Sequence, residues 1–268
     1  MSFAGLLASA RPLDGGPSAP LGTGFALAVP DGWLQGRTAY GGFSAALALD
    51  AARRAGGEGL PPLRSATVSF IGPLYGEIEV RARVQRRGKN ATWMAAEVLR
   101  DGEVGLTASF DFMGPVDSAL HLNDRPMPAG VIPVDEAEVF APNAHAPAFR
   151  RNVEVRFALP RGEDKRPELC WWMRLADRTG LDPMTEVLLM ADGLPPGVLP
   201  LLNPGVPVSS MTWLANLLTP APQTRDGWWL LRSTGDYAEA GCSSQRMEIW
   251  NTDGQPVMAG MQSVAVFG

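Results

Sequence analysis

The sequence predicts an α+β protein made of two fused copies of one half, each an antiparallel sheet wrapped around a central helix. Three observations support this fold class: two similar strand-rich segments, an Asp-Gly pair at the matching place in each, and an apolar helical pattern upstream of each. We predict an N-terminal repeat over residues 1–114, a Pro-rich linker over 115–148 and a C-terminal repeat over 149–268.

The duplication is clearest in the segments Val80–Gly114 and Trp228–Gly268. Each has an extended run, a break, a second alternating run, an Asp-Gly pair and a final strand. The pairs Asp101-Gly102 and Asp253-Gly254 lie 152 residues apart, and Asp-Gly between alternating runs is a strong hairpin signal. Each segment is therefore expected to form consecutive antiparallel strands.

A helix is expected before each of these segments. The first covers Phe43–Gly56 and ends at a glycine pair, and the second covers Asp182–Leu194, with Asp182 as N-cap and Pro183 at the first helical position. Positions 43–49 are apolar or small, so this helix should be enclosed on most sides. A sheet that curls around the helix satisfies that requirement.

The segment between the halves, Pro115–Pro147, carries six prolines, both histidines and little periodicity. It is predicted to be an ordered surface linker. Phe149–Leu159 and Glu168–Ala176 then favour the opening hairpin of the second half, and Phe25–Leu34 has the same place in the first half.

Composition excludes several classes of protein. The net charge is −5 and no block of Lys and Arg is present, so we expect no nucleic acid partner. Cys170 and Cys242 lack metal-type spacing, so we predict neither a disulfide nor a metal site, and no cofactor. The N-terminal stretch lacks the basic residue of a signal peptide, and no apolar run is long enough to span a bilayer, so the expected location is cytoplasmic.

The charged fraction is low, at 19%, beside 46% apolar residues. This balance indicates an additional buried surface, such as a subunit interface or a ligand tunnel. Together with exposed sheet edges, it favours a homodimer or a higher homo-oligomer.

The order of helix, strand, long hairpin, Asp-Gly turn and final strand resembles the double hot-dog acyl-CoA thioesterases of the bacterial thioesterase II type. Gly36–Leu49 is similar to the Gly-Gly helix start of that family, Arg64–Leu74 to its first-half strand, and Ser243–Phe267 to its terminal hairpin with a Gln in the last strand. The resemblance covers roughly residues 20–114 and 149–268. It implies two hot-dog repeats and hydrolysis of fatty or related acyl-CoA to free acid and CoA.

The resemblance also implies a hydrolytic trio of an Asp, a Ser or Thr, and a Gln in the C-terminal half. By motif position these are Asp192, Ser210 and Gln262. Ser209 and Thr212 are alternatives to Ser210; Thr212 is expected on the same strand face and Ser209 on the opposite one. The matching first-half positions, about Ala45, Leu63 and Phe110, are apolar, so only the C-terminal half is expected to be catalytic.

The trio fits the chemistry of thioester hydrolysis. Asp192 is a candidate general base on water, or in second place a nucleophile that forms an anhydride, while Ser210 and Gln262 hold the water. Backbone N–H groups at Gly41 and Gly42 are candidates for binding the thioester carbonyl, because a helix N-terminus favours negative charge.

Arg37 and one basic cluster are candidates for contact with the CoA phosphates. Arg86, Arg87 and Lys89 form a basic cluster that either contacts these phosphates or is only a solvated loop. Arg37 is ambiguous in the same way.

Two other functions stay open at this point. One is a non-catalytic hot-dog protein that binds acyl thioesters, and the other is an enoyl-CoA hydratase-like enzyme. The second needs a histidine paired with an acid, whereas His121 and His145 both lie in the linker. A Ser-His-Asp hydrolase is disfavoured because the sequence has no G-x-S-x-G motif.

Overall fold

The computed structural model describes residues 2–13, 22–141, 146–160, 162 and 165–268; His145 of the linker lies outside this range. The α-helices in the described ranges are α1 (Phe3–Ser9), α2 (Gly41–Gly56) and α3 (Pro183–Ala191). The strands there are β1 (Arg11–Leu13), β2 (Thr23–Ala28), β3 (Leu34–Gln35), β4 (Thr38–Ala39), β5 (Leu63–Phe70), β6 (Glu77–Arg87), β7 (Ala91–Arg100), β8 (Glu103–Met113), β9 (Val153–Phe157), β10 (Glu168–Leu175), β11 (Val208–Leu217), β12 (Trp229–Glu239), β13 (Cys242–Trp250) and β14 (Pro256–Val266).

One large antiparallel sheet dominates the fold. Within the described residues it has twelve strands in the order β1-β2-β6-β7-β8-β5-β11-β14-β13-β12-β10-β9. Strands β5 and β11 pair at its centre, and the order outwards from this pair is β8, β7, β6 on one side and β14, β13, β12 on the other. The antiparallel sheet and its central helices agree with the predicted α+β class.

The two Asp-Gly pairs form different connections. Asp101 and Gly102 have φ values of 52° and 81° and join β7 directly to β8, as expected for a two-residue hairpin. Asp253 and Gly254 lie within a longer connection from β13 to β14, where the Asn251 side chain accepts the backbone N–H groups of Asp253 and Gln255. The second turn is therefore longer than the tight hairpin predicted, because an Asn side chain organises it.

Helix α2 lies in the main core. Residues 43–49 are all at most 2% exposed, which confirms the enclosed helix that the composition predicts. Helix α3 begins as expected, with the Asp182 side chain accepting the backbone N–H of Thr185 and Pro183 at its first position. Helix α1 was not expected; it forms because Phe3 is buried against the rings of Trp33 and Phe43.

Helices α2 and α3 pack against each other in opposite directions. At one end the Tyr40 hydroxyl, just before α2, donates to the carbonyl of Leu189 in the last turn of α3 at 2.8 Å. At the other end Arg53 of α2 pairs with Asp182 at the start of α3, also at 2.8 Å. The N-terminus of α2 therefore faces the C-terminus of α3.

The linker forms a second, smaller core against the sheet. Trp172 donates from Nε1 to the carbonyl of Ile132 at 2.8 Å, and Trp250 donates to that of Arg125 at 2.9 Å. Trp172 alternates along β10 with Trp171, which faces the main core, so the linker covers the opposite face of the sheet. Part of the segment between residues 115 and 148 therefore packs on this face of the sheet.

In the described part of the chain, no helix is long and apolar enough to cross a membrane.

Candidate active site

A cavity of about 390 Å³ opens where the start of α2 meets the end of α3. Asp192 and Ser210 both line it, together with Gly41 at the first position of α2. Its remaining lining residues are Gln35, Arg37, Thr38, Ala39, Ser44, Phe70, Ile71, Gly72, Pro73, Leu74, Gly105, Val208 and Ser209. Gln262 is buried beside Asp192, so the structure brings the three predicted catalytic side chains into one region.

Asp192 is the residue that caps the C-terminus of α3, and its carboxylate accepts a hydrogen bond from Gln262, whose Nε2 lies 2.8 Å from Oδ1. Burial of the carboxylate raises the pKa of Asp192 to about 7, an effect larger than the lowering by Gln262 and by the backbone N–H of Gly42. The group therefore titrates near neutrality, where a general base is most effective.

The glycine pair at the start of α2 permits this contact. A β-carbon on Gly41 would overlap Oδ2 of Asp192, and one on Gly42 would overlap the carbonyl oxygen of Leu189. The backbone N–H of Gly42 lies close enough to the carboxylate to lower the pKa of Asp192. Gly41 borders the cavity and remains a candidate for binding the substrate carbonyl through its backbone N–H.

A β-bulge in β11 decides on which face of the sheet Ser210 and Thr212 lie. Ser210 and Thr212 pair with consecutive residues of β14, Val264 and Ser263, so one residue of β11 is extra. Ser210 then shares the inner face with buried Val264, while exposed Thr212 lies on the outer face. The expectation that Thr212 shares a face with Ser210 is wrong, because the extra residue reverses the alternation. Ser209 lies on the opposite face from Ser210, as predicted.

The basic cluster is not at this cavity. Arg86 lies over the ring of Trp93, and Arg87 donates to the carbonyl of Gly56, the last residue of α2. Gly56 is about 22 Å along the helix from its first residue, because each residue advances the axis by about 1.5 Å. Lys89 lies in the turn that follows β6, so the whole cluster is at the far end of α2.

Arg37 is the cation that lines the cavity. It is exposed, and it has no ion-pair partner within the ranges that the structure describes. Of the basic residues considered as contacts for the CoA phosphates, Arg37 is therefore next to the site, and the Arg86 cluster is not.

Tyr40 is a buried site residue that the sequence analysis missed. Its hydroxyl donates to Leu189 while its ring stacks on Phe149 at 4.1 Å between centroids. Burial, and then the nearby Asp192 carboxylate, raise the pKa of Tyr40 well above its usual value, so the phenol keeps its proton. In the sequence, only its position directly before the pair Gly41-Gly42 could have indicated that Tyr40 lies at the site.

Arg150 is the second missed residue, and nothing in its sequence context marks it. It is 7% exposed, and its guanidinium lies 5.1 Å from the ring centroid of Trp171 and 5.2 Å from that of Phe140. Burial lowers its pKa to about 10, so the group stays cationic at neutral pH. Its Nη1 donates to the carbonyl of Gly193 at 3.4 Å, which supports the turn that carries Asp192.

The histidine chemistry of a hydratase has no support in the described residues. His121 is exposed in the linker and does not line the cavity.

Two family models match the chain. The acyl-CoA thioesterase N-terminal domain matches residues 29–113, and the acyl-CoA thioesterase C-terminal domain matches residues 128–266, more than half of the chain. The chain belongs to the acyl-CoA thioesterase family. This acyl-CoA thioesterase is a thioester hydrolase with an acyl-CoA substrate.

Solved structures similar to this acyl-CoA thioesterase have the hot-dog fold. A candidate thioesterase II from Thermobifida fusca YX matches with a TM-score of 0.81 and 22% identity, over 98% of this chain and 97% of that one. A conserved hot-dog protein of unknown function from Alicyclobacillus acidocaldarius gives 0.80 and 23%, over 91% and 93%. The acyl-CoA thioesterase II TesB2 of Mycobacterium marinum gives 0.74 and 17%, over 99% and 98%. No curated protein matches the sequence significantly.

Proposed function

We propose that this acyl-CoA thioesterase hydrolyses its substrate with Asp192 as a general base on water, while Ser210 and Gln262 position that water. The observation that carries the proposal is the Asp192 carboxylate, which borders the same cavity as Ser210 and accepts a hydrogen bond from Gln262 at 2.8 Å. The amide of Gln262 has a second N–H available for the water, and the Ser210 hydroxyl can donate or accept.

The reaction balances with these groups. Asp192 takes a proton from water, and the water oxygen attacks the thioester carbonyl to form a tetrahedral oxyanion. The N–H of Gly41 is our candidate donor to that oxyanion, because the first N–H groups of a helix lack partners within the helix. Collapse of the intermediate breaks the C–S bond, and the proton on Asp192 passes to the CoA thiolate.

A nucleophilic Asp192 ranks second. It would form an acyl anhydride that water then hydrolyses. The hydrogen bond from Gln262 lowers both the basicity and the nucleophilicity of the carboxylate, so it does not distinguish the two roles.

We also propose that the chain is a double hot-dog: a repeat over residues 1–114, a linker over 115–148 and a repeat over 149–268. The matching strand order on either side of the β5–β11 pair supports the duplication. In this arrangement Asp192, Ser210 and Gln262 come from the second repeat, and Gly41 comes from the first. The site is then formed between the repeats, and neither repeat has it alone.

A homo-oligomer, in the first instance a dimer, completes the proposal. The outer face of the central strands exposes apolar side chains, with Leu214 at 36% and Met261 at 50% exposure. Contact with a second copy would cover them. Light scattering on the purified protein tests this part, and a monomer at micromolar concentration would contradict it.

The deciding experiment measures release of free CoA thiol over a panel of acyl-CoA chain lengths. Asp192→Asn should lower kcat about 10³-fold, within the range typical for loss of a general base. Thermal unfolding checks that the variant folds. Turnover equal to that of the wild type would remove Asp192 from the mechanism, and acyl-CoA binding without thiol release would favour the non-catalytic alternative. Hydration of crotonyl-CoA would favour the hydratase.

A further inference from the structure

Three residues form a row across neighbouring strands beneath Asp192. Gly235 of β12 pairs with Gln245 of β13, and Gln245 pairs with Gln262 of β14. Directly paired residues lie on the same face of a sheet, here the inner one. Gln245 is fully buried and Gln262 is 4% exposed, so both amides must find their partners within the protein.

Hydrogen bonds continue along this row to the carboxylate. The backbone N–H of Gly197, in the segment after α3, donates to Oε1 of Gln245 at 2.7 Å. Gln245 donates from Nε2 to Oε1 of Gln262, also at 2.7 Å. Gln262 then donates from Nε2 to Oδ1 of Asp192 at 2.8 Å.

The backbone N–H of Gly197 is the first donor in this series of hydrogen bonds, and it sets the direction of the others. A backbone N–H can only donate, so Gln245 must present its oxygen to Gly197 and its NH₂ group to Gln262. Gln262 must in turn present its oxygen to Gln245 and its NH₂ group to Asp192. Reversal of either amide would place two donors or two acceptors against each other in a buried site.

Gly197 is held firmly in place. Pro195 and Pro196 restrict the backbone before it. A β-carbon on Gly197 would come within 2.5 Å of the backbone nitrogen of Gly235, so the segment lies directly on β12. Because Gly235 has no side chain, the N–H of Gly197 can reach Gln245 across it.

We propose that Gln245 is a positioning residue for hydrolysis, which fixes the amide of Gln262 with its NH₂ group towards Asp192 and the attacking water. The proposal rests on the function proposed above for Asp192 and Gln262. Gln245 acts through Gln262 and touches no reacting atom. Its loss should therefore impair kcat with little effect on KM.

The first test is Gln245→Met, which keeps a similar volume but removes both hydrogen bonds. The amide of Gln262 can then rotate, which weakens its hydrogen bond to the Asp192 carboxylate. We expect kcat to fall about tenfold and the ascending limb of the pH–rate profile to move up by roughly one unit. Met247→Leu is the matched control, since Met247 is buried on the same face of β13 and makes no polar contact in this row.

The second test is Gln245→Glu. A protonated carboxyl can accept from Gly197 and donate to Gln262, as the amide does, but an ionised carboxylate can only accept. We expect the kcat of this variant to match that of the wild type measured at the same low pH, and a descending limb, absent from the wild type, as the introduced carboxyl ionises. A purely structural role for Gln245 would lower the unfolding temperature without producing this limb.

Asp192→Asn, assayed beside these variants, separates the two proposals. Loss of activity in Asp192→Asn with unshifted pH profiles in both Gln245 variants would overturn the positioning role alone. Full activity in Asp192→Asn would overturn both. If Gln245→Glu does not fold, as judged by thermal unfolding, the profile of Gln245→Met decides.

Discussion

Gly41 and Asp192 meet at a point where the protein has no room for another atom, because a β-carbon on Gly41 would overlap Oδ2 of the carboxylate. One residue begins α2 and the other ends α3. The catalytic geometry proposed here thus depends on a close approach between two helices that belong to different halves of the chain.

Gly41→Ala should therefore move the carboxylate without changing its chemistry. We expect kcat to fall about 10²-fold, since misplacement by about 1 Å at a reacting group has effects of that size. Gly32→Ala is the control, because a β-carbon on Gly32 would meet no other atom within 4 Å. Thiol-release kinetics and thermal unfolding of both variants check the prediction; equal kcat in the two would contradict it.

The raised pKa of Asp192 predicts a pH-dependent stability. The folded protein favours the neutral carboxyl of Asp192. The free energy of unfolding therefore contains a stabilising contribution that is complete below the usual pKa of 3.8 and is lost as pH rises through about 7. Asparagine has no such dependence. The unfolding free energy of Asp192→Asn relative to the wild type should therefore increase by about 3 kcal/mol between roughly pH 5 and pH 8. Urea unfolding at several pH values measures it, and a difference independent of pH would show that the pKa is not raised.

The bulge in β11 predicts opposite results at two neighbouring hydroxyls. Ser210→Ala should lower kcat about tenfold, because it removes one of the groups that hold the water. Thr212→Ala should leave kcat unchanged, since Thr212 lies on the outer face of the sheet. Without the bulge both side chains would face the cavity, so parallel loss of activity in the two variants would indicate the regular strand.

Arg37 is predicted to bind the CoA phosphates. Arg37→Ala should raise KM for acyl-CoA several-fold with little change in kcat, and the effect should decrease at high salt because Arg37 is exposed. A thioester of N-acetylcysteamine lacks the phosphates and should show no such effect. Arg86→Ala is the matched control at the far end of α2. A rise in KM for both thioesters in Arg37→Ala would point to a general disturbance of the cavity.

Local sequence patterns were sufficient for most elements of the fold. The apolar run over positions 43–49 predicts a buried helix because no other packing hides so many apolar faces. Asp182 and Pro183 predict the start of α3 because capping is decided within one turn. The tight turn at Asp101 and Gly102 follows from their tolerance of positive φ.

The same patterns could not predict the bulge at Ser210, because an extra residue in one strand is defined only by the register of its neighbour. These patterns also could not show that Arg86 and Arg87 lie far from the cavity. That distance arises because the end of β6 lies beside the last residue of α2.

The sequence by itself predicted the duplication and helices α2 and α3, because alternation and capping are properties of neighbouring residues. It gave Asp192, Ser210 and Gln262 as candidates through their motif positions in the resemblance to a family. Only the tertiary structure decided that Gly41 lies against the Asp192 carboxylate, that Arg37 borders the cavity and that Gln245 connects Gly197 to Gln262. Those relationships join residues from separate strands and loops, and their distances exist only after the sheet has paired and closed around its helices.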